Sequence, residues 1–215
     1  MFGLFGREAE RLVTQLDLGF GPKGDAVKEK LLSMGTRAVP DLLKCIENSD
    51  GKHKPLARLE AAQLLARIRD ERSVEPLIRV LQTSDDDGKK NAAIALGGIG
   101  DKRAVEPLIK TLMEQNSSVR SRAMFALAEI RDPSGVGALA SVLHKDTQAV
   151  YFRSGADFRE SADFKSALKA LTSIGGPTAI NALAGAVDAS WPYLRGEITK
   201  AIDTLKGTPG RSGVR

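Results

Sequence analysis

The side chains capable of covalent or metal chemistry are few in this chain and stand far apart. There is one cysteine, Cys45, and there are two histidines, His53 and His144. Cys45 sits beside Leu42, Leu43 and Ile46 in a helical pattern, the setting of a small hydrophobe and not of a thiolate, which needs a nearby base or cation. Ser141 and His144 fall three residues apart on one helix face. A nucleophilic pair also needs an orienting third group and an oxyanion site, and the sequence offers neither. A metal centre built from nitrogen and oxygen donors needs roughly three or more converging ligands. No catalytic residue, metal ligand or cofactor is assigned.

Residue types suited to recognition are better organised. Lys44, Arg79 and Lys110 form a row that continues through Ser141 and Gly185, with Arg79, Lys110 and Ser141 spaced by 31 residues. A parallel row holds Glu75, Glu106, Gly137 and Asn181. One reading is a groove that is basic in its N-terminal half. The other is that Glu75 with Arg79, and Glu106 with Lys110, are ordinary i, i+4 ion pairs worth roughly 0.3–0.5 kcal/mol each. Aromatic residues and arginine, the types that dominate protein–protein hot spots, collect near the C-terminus: Tyr151, Phe152, Arg153, Phe158, Arg159 and Phe164, then Trp191 and Tyr193. These are candidate partner-binding residues. Alternatively the segment packs on the last repeat, with Phe158 and Phe164 filling gaps, or it lines a small-ligand pocket. Phe2, Leu4 and Phe5 read as a cover for the exposed end of the first repeat.

The elements that must position these residues repeat. Ala61-Ala-Gln-Leu-Leu-Ala-Arg-Ile68 returns after 31 residues as Ala92-Ala-Ile-Ala-Leu-Gly-Gly-Ile99, and again as Ala123-Met-Phe-Ala-Leu-Ala-Glu-Ile130. The run Asp70-Glu-Arg-Ser-Val-Glu-Pro-Leu-Ile78 returns as Asp101-Lys-Arg-Ala-Val-Glu-Pro-Leu-Ile109. Such a period marks one supersecondary unit stacked on copies of itself. Apolar residues three and four apart (Ala61, Leu65, Ile68; Val74, Leu77, Ile78, Leu81) make each unit a pair of short amphipathic helices. Gly35, Gly100, Gly175 and Gly207 each follow the last apolar residue of a first helix, where a left-handed cap favours glycine. Asp70, Asp101 and Asp132 then cap the second helices, which are expected to begin near Arg72 and Arg103, with Pro76 and Pro107 in the first turn.

Weaker copies extend the array. Val27, Leu31, Met34 with Val39, Leu42, Leu43, Ile46 form a first pair. Ala167, Leu171, Ile174 with Ile180, Leu183, Val187 form a last pair, displaced by 44 residues from its predecessor because residues 144–165 carry an insertion. Helices over roughly Glu8–Leu16 and through Ile198, Ile202 and Leu205 cap the ends. The expectation is an all-α, right-handed superhelix of about five helix pairs in one domain over residues 1–207, with 208–215 a disordered tail.

Composition sets outer bounds. Thirty-two Lys and Arg face 27 Asp and Glu, a net charge of +5, too modest to point to nucleic acid when Glu75 and Glu106 would face the phosphates. No apolar run approaches the ~18 residues of a membrane span, and the N-terminus lacks the pattern of a signal peptide. A lone cysteine fits a reducing cytoplasm.

The run Asn91–Ile109, with Val119-Arg120 before the next copy, resembles the short HEAT-like repeats of the phycobilin lyases (the PBS lyase HEAT-like repeat). The resemblance implies an α-solenoid and a range of activities, from lyase subunits and a hydroxylase to protein-binding modules. The hydroxylase, deoxyhypusine hydroxylase, holds di-iron through His-Glu pairs, whereas His53 and His144 are each followed by lysine. The expectation is a non-catalytic scaffold that binds a protein through its concave face and aromatic C-terminal edge. The alternative is a bilin lyase, a lyase subunit or a chromophore-handling protein.

Overall fold

The computed structural model describes residues 2–18, 21–48, 51–143, 162–189 and 192–207. Among them there is no strand. The helices in chain order are α1 (Phe2–Val13), α2 (Pro22–Met34), α3 (Val39–Glu47), α4 (Pro55–Ile68), α5 (Val74–Thr83), α6 (Asp86–Ile99), α7 (Val105–Thr111), α8 (Ser117–Ile130), α9 (136–143), α10 (Ala162–Ile174), α11 (Gly176–Ala189) and α12 (Pro192–Gly207). Five pairs, α2/α3 through α10/α11, thus lie between α1 and α12. The N-terminal helix starts earlier than the Glu8 expected for it. At the other end of the insertion, Ala162–Lys165 already belong to α10.

One turn design joins the helices within three of the pairs. After α4, Arg69 adopts φ 54° and the Asp70 carboxylate accepts from the Arg72 amide at 3.0 Å. After α6, Gly100 adopts φ 81° and Asp101 accepts from the Arg103 amide at 2.9 Å. After α8, Arg131 adopts φ 57° and Asp132 accepts from the Ser134 amide at 2.9 Å. Each aspartate first closes a 3-10 turn, so the α-helical parts begin at Val74 and Val105, not at Arg72 and Arg103. Pro76 and Pro107 remain in the first turn, where an amide hydrogen has no helical partner. Gly35, Gly100 and Gly175 all take positive φ after a helix, whereas Gly207 is the last residue of α12.

Arginine at a left-handed position is strained by its Cβ, by about 1 kcal/mol or more. Glycine relieves that strain, and part of the gain is offset because glycine loses more chain entropy on folding. Arg69→Gly and Arg131→Gly should each stabilise the protein by ~0.5–1 kcal/mol, and Gly100→Ala should destabilise it by a similar amount. Urea titration of the three variants checks the signs.

Packing follows from the stack. First helices lie side by side, α4 on α6, α6 on α8, α8 on α10, and each second helix packs on the next first helix, α3 on α4, α5 on α6, α7 on α8. Most of the expected inward residues are buried, Ala61, Leu65, Ala92, Leu96, Ala123 and Leu127 in the first helices and Val74, Leu77, Ile78, Leu81, Val105, Leu108 and Leu112 in the second units, while Ile68, Ile99, Ile109 and Ile130 are half-buried at their edge. Interior first helices bury more than one stripe. Ala62, Leu64, Ala93, Ala95, Met124 and Ala126 are also within the core, because neighbours flank each first helix on both sides. Close approach depends on small residues. A Cβ on Gly97 would stand 2.8 Å from the Cα of Ala126 in α8, and one on Gly98 would collide with Ala66 in α4. Phe164 is buried in the core, as the packing alternative for the insertion had it. Ala9, Leu12 and Val13 close one end of the core, and Ile198, Ala201 and Ile202 close the other.

Leu96 and Leu127 are fully enclosed, while Leu205 in α12 is half-buried. Replacing either enclosed leucine by alanine should cost roughly 2–5 kcal/mol. Leu205→Ala should cost clearly less in the same denaturant titration, and equal losses at all three would contradict a linear stack.

Candidate functional site

A polar device that recurs with the repeat fixes one helix pair against the next. Arg58 lies in the first turn of α4 with its side chain only 4% exposed. Its Nε donates to the carbonyl of Ile46 at the end of α3, 3.1 Å away. Its Nη1 and Nη2 donate to both carboxylate oxygens of Asp85, at 3.0 and 2.7 Å. Asp85 in turn caps α6 by accepting from the Gly88 amide at 2.8 Å. One guanidinium therefore ties together three successive helix pairs. Arg120 does the same further along: Nη1 donates to the carbonyls of Glu114 and Gln115, both at 2.7 Å, and Nε donates to Asp163 in the first turn of α10 at 2.7 Å. Between them Lys89 bonds Glu114 at 2.7 Å. Residues 58, 89 and 120 are 31 apart, a recurrence of cations that was visible in the sequence and went unread beside the apolar pattern.

Electrostatics follow these contacts. The Arg58 guanidinium, aided by the Gly88 amide, holds the Asp85 carboxyl down at about 2 against the pull of partial burial. Hydrogen bonds from Arg72, Arg103 and Ser134 hold Asp70, Asp101 and Asp132 below the usual carboxylate range. Burial pushes the Cys45 thiol up to about 12, and the residue is enclosed in the core, so its place is that of a hydrophobe. Because Asp85 titrates lower folded than unfolded, its stabilisation is complete above the ordinary aspartate range near ~4 and is lost as pH falls through about 2. Asp85→Asn should lower the melting temperature at pH ~7, and the difference from the parent chain should vanish as pH approaches ~2.

The expected recognition residues divide into two groups. Lys44, Arg79 and Lys110 are all exposed, as are Ser141, Gly185, Glu75, Glu106, Gly137 and Asn181, so both rows lie on the open face of the second helices. The i, i+4 ion pairs weighed for this face are absent: neither Glu75–Arg79 nor Glu106–Lys110 comes within salt-bridge distance, and among the described residues only Lys44 of the three cations has an ion-pair partner, Asp41 at 3.4 Å. Glu75 instead acts on Arg103 of the next pair, which Asp101 chiefly and Glu75 in addition hold above its usual range. Tyr151, Phe152, Arg153, Phe158, Arg159 and Trp191 lie outside the described residues, as does His144. Tyr193 falls in α12, with its side chain outside those described. The Ser141 hydroxyl donates to the carbonyl of Gly137 at 3.0 Å. Among the described residues no cluster of three or more His, Cys, Asp or Glu side chains is arranged to hold a metal ion, and no helix is long and apolar enough to cross a membrane.

Parallel first helices backed by second helices, joined by Asp-capped turns of fixed period, define an α-solenoid of HEAT-like repeats. The family model for HEAT repeats matches residues 75–156, and that for the PBS lyase HEAT-like repeat matches residues 57–83. The chain is a HEAT-like repeat protein. Among solved structures, an engineered protein is similar at 22% identity over 93% of this chain and 96% of its own, with a TM-score of 0.54. A designed armadillo repeat protein in complex with the peptide (KR)4 is similar at 16% identity over 93% and 98%, with a TM-score of 0.50. At these identities the likeness is one of fold. No curated protein sequence matches the chain.

Proposed function

We propose that this chain is a non-catalytic scaffold of the cytoplasm that binds a protein partner. The partner lies along the second-helix face, as the concave side of the solenoid, and against the C-terminal edge that carries Tyr151, Phe152, Arg153, Phe158, Arg159, Trp191 and Tyr193. The observation that carries this reading is the pair Arg79 and Lys110, exposed at equivalent places on α5 and α7 with no salt-bridge partner. Their charge is not cancelled within the helix, so it is available to an acidic segment laid across the repeats. A solenoid of related fold is known with a charged peptide, the designed armadillo repeat protein with (KR)4. The row here, Lys44, Arg79 and Lys110, carries the same positive sign as that peptide, so its complement is an acidic segment, and it becomes neutral at Ser141 and Gly185.

Capture from native lysate, quantified by mass spectrometry at ~50 and ~200 mM salt, tests the reading with two kinds of variant. Arg79→Glu with Lys110→Glu should cut recovery of the specific partner at least tenfold, or ~1.4 kcal/mol, and abolish its salt dependence. Phe152→Ala or Trp191→Ala should weaken capture by ~2 kcal/mol or more with an unchanged melting temperature. Unaltered capture by the charge-reversed chain would remove the second-helix face from the account. A drop in melting temperature for the aromatic variants would assign those side chains to packing.

A further inference from the structure

The first-helix layer carries a second surface, independent of the row on the second helices. Between the parallel helices α8 and α10 runs an open trough of about 520 Å³. Interior junctions of this layer are tight because glycine admits the neighbour, as Gly97 of α6 does for Ala126. Ala128 stands at the corresponding place in α8, 31 residues on, and lines the trough together with Ala170 of α10. The two helices touch where the Ser121 and Ser166 hydroxyls meet at 3.0 Å. Above that contact α8 presents Arg122 and Phe125, α10 presents Lys169, and Glu129 stands at the far end.

Two features of this trough call for an occupant. Phe125 is 45% exposed, one of the few large hydrophobic residues left open to solvent among those described. The Arg122 and Lys169 side chains are exposed and, unlike those of Arg58 and Arg120, make no ion pair or hydrogen bond among the described residues. Arg122, Phe125 and Glu129 are three and four residues apart on one wall, so the surface runs lengthwise along a helix and not across the repeats. A helix laid in the trough would meet this spacing with its own i, i+3, i+4 side chains. Two cations against one carboxylate set the sign of its charge.

We infer that the α8–α10 trough is a docking site for an acidic amphipathic helix of a protein partner, anchored on Phe125 and oriented by Arg122 and Lys169. The occupant presents an apolar stripe to Phe125 and carboxylates on its flanks to the two cations. The site tolerates close approach because Ser121, Ser166 and Ala128 are small.

The full-length chain is titrated, by fluorescence anisotropy at ~50 mM salt, with two labelled peptides of about 16 residues sharing one leucine stripe at helical spacing. One peptide is flanked by glutamate and the other by lysine. The glutamate peptide should bind at least tenfold tighter. Arg122→Glu with Lys169→Glu should reverse that order, and Phe125→Ala should weaken the glutamate peptide about tenfold. Thermal melting should stay unchanged, since all three side chains are exposed. Arg79→Glu with Lys110→Glu should leave this binding intact. The inference is overturned if the glutamate peptide fails to bind, or if its binding survives reversal of Arg122 and Lys169. Survival there with loss on reversal of Arg79 and Lys110 would move the peptide to the second-helix face and leave the scaffold reading standing. Dimerisation in sedimentation equilibrium that Phe125→Ala abolishes, without peptide binding, would assign the trough to a second copy of the chain and equally overturn it.

Discussion

No helix pair in this protein can bury its own apolar surface, and every other feature answers to that constraint. The α-helical part of α7 is seven residues long, well short of the ~12–15 at which an isolated helix becomes even marginally stable in water. Its Val105 and Leu108 are protected because α8 of the next pair and α5 of the preceding one lie against it. Stability is therefore held between repeats and not within them. Small residues at the first-helix contacts, above all Gly97 and Gly98, bring backbones close enough for the enclosed leucines to be covered from both flanks.

Hydrophobic stacking by itself would not fix how one pair sits on the next, and the buried cations add that information. Arg58 and Arg120 each reach backward to carbonyls that a finished helix leaves unpaired, and forward to a carboxylate at the start of the next first helix. A buried guanidinium without these partners would be costly, so a stack shifted along the helix axes is penalised more than the aligned one. The same geometry explains why Asp85 can stay ionised beside a largely enclosed side chain. Burial, by contrast, suppresses the one thiol the structure holds at Cys45.

A stack that engages most of its buried polar side chains internally leaves function to those on the surface. Arg79 and Lys110 on one layer and Arg122, Phe125 and Lys169 on the other are exposed, and the four cationic side chains make no ion pair among the described residues. Their arrangement supports recognition by position, one contact per repeat on the second-helix face and one lengthwise groove on the first-helix face. Neither surface resembles a reaction centre, which would concentrate polar groups of shifted acidity in a water-excluded pocket.

The repeat, the helix pairs, their caps and the greater part of the core were legible in the sequence, because they are local. Spacing of three and four residues, an aspartate after the cap and a proline in the first turn act within a few residues of one another, and recurrence at 31 residues confirms each reading with the next copy. The exposed row of Lys44, Arg79 and Lys110 was legible for the same reason. What tertiary structure alone decided depends on contacts between copies. Arg69 and Arg131 hold left-handed caps that residue type disfavours, because the packed helices on either side leave the chain no other path. Glu75 makes no salt bridge with Arg79 one turn away, and its charge acts on Arg103 of the next pair. The first helices bury more than one stripe because they have neighbours on both sides, and the α8–α10 trough brings Arg122 and Phe125 of one helix beside Lys169 of another. A local pattern cannot register a distance between two helices that are far apart in the chain, and that distance is what makes the trough.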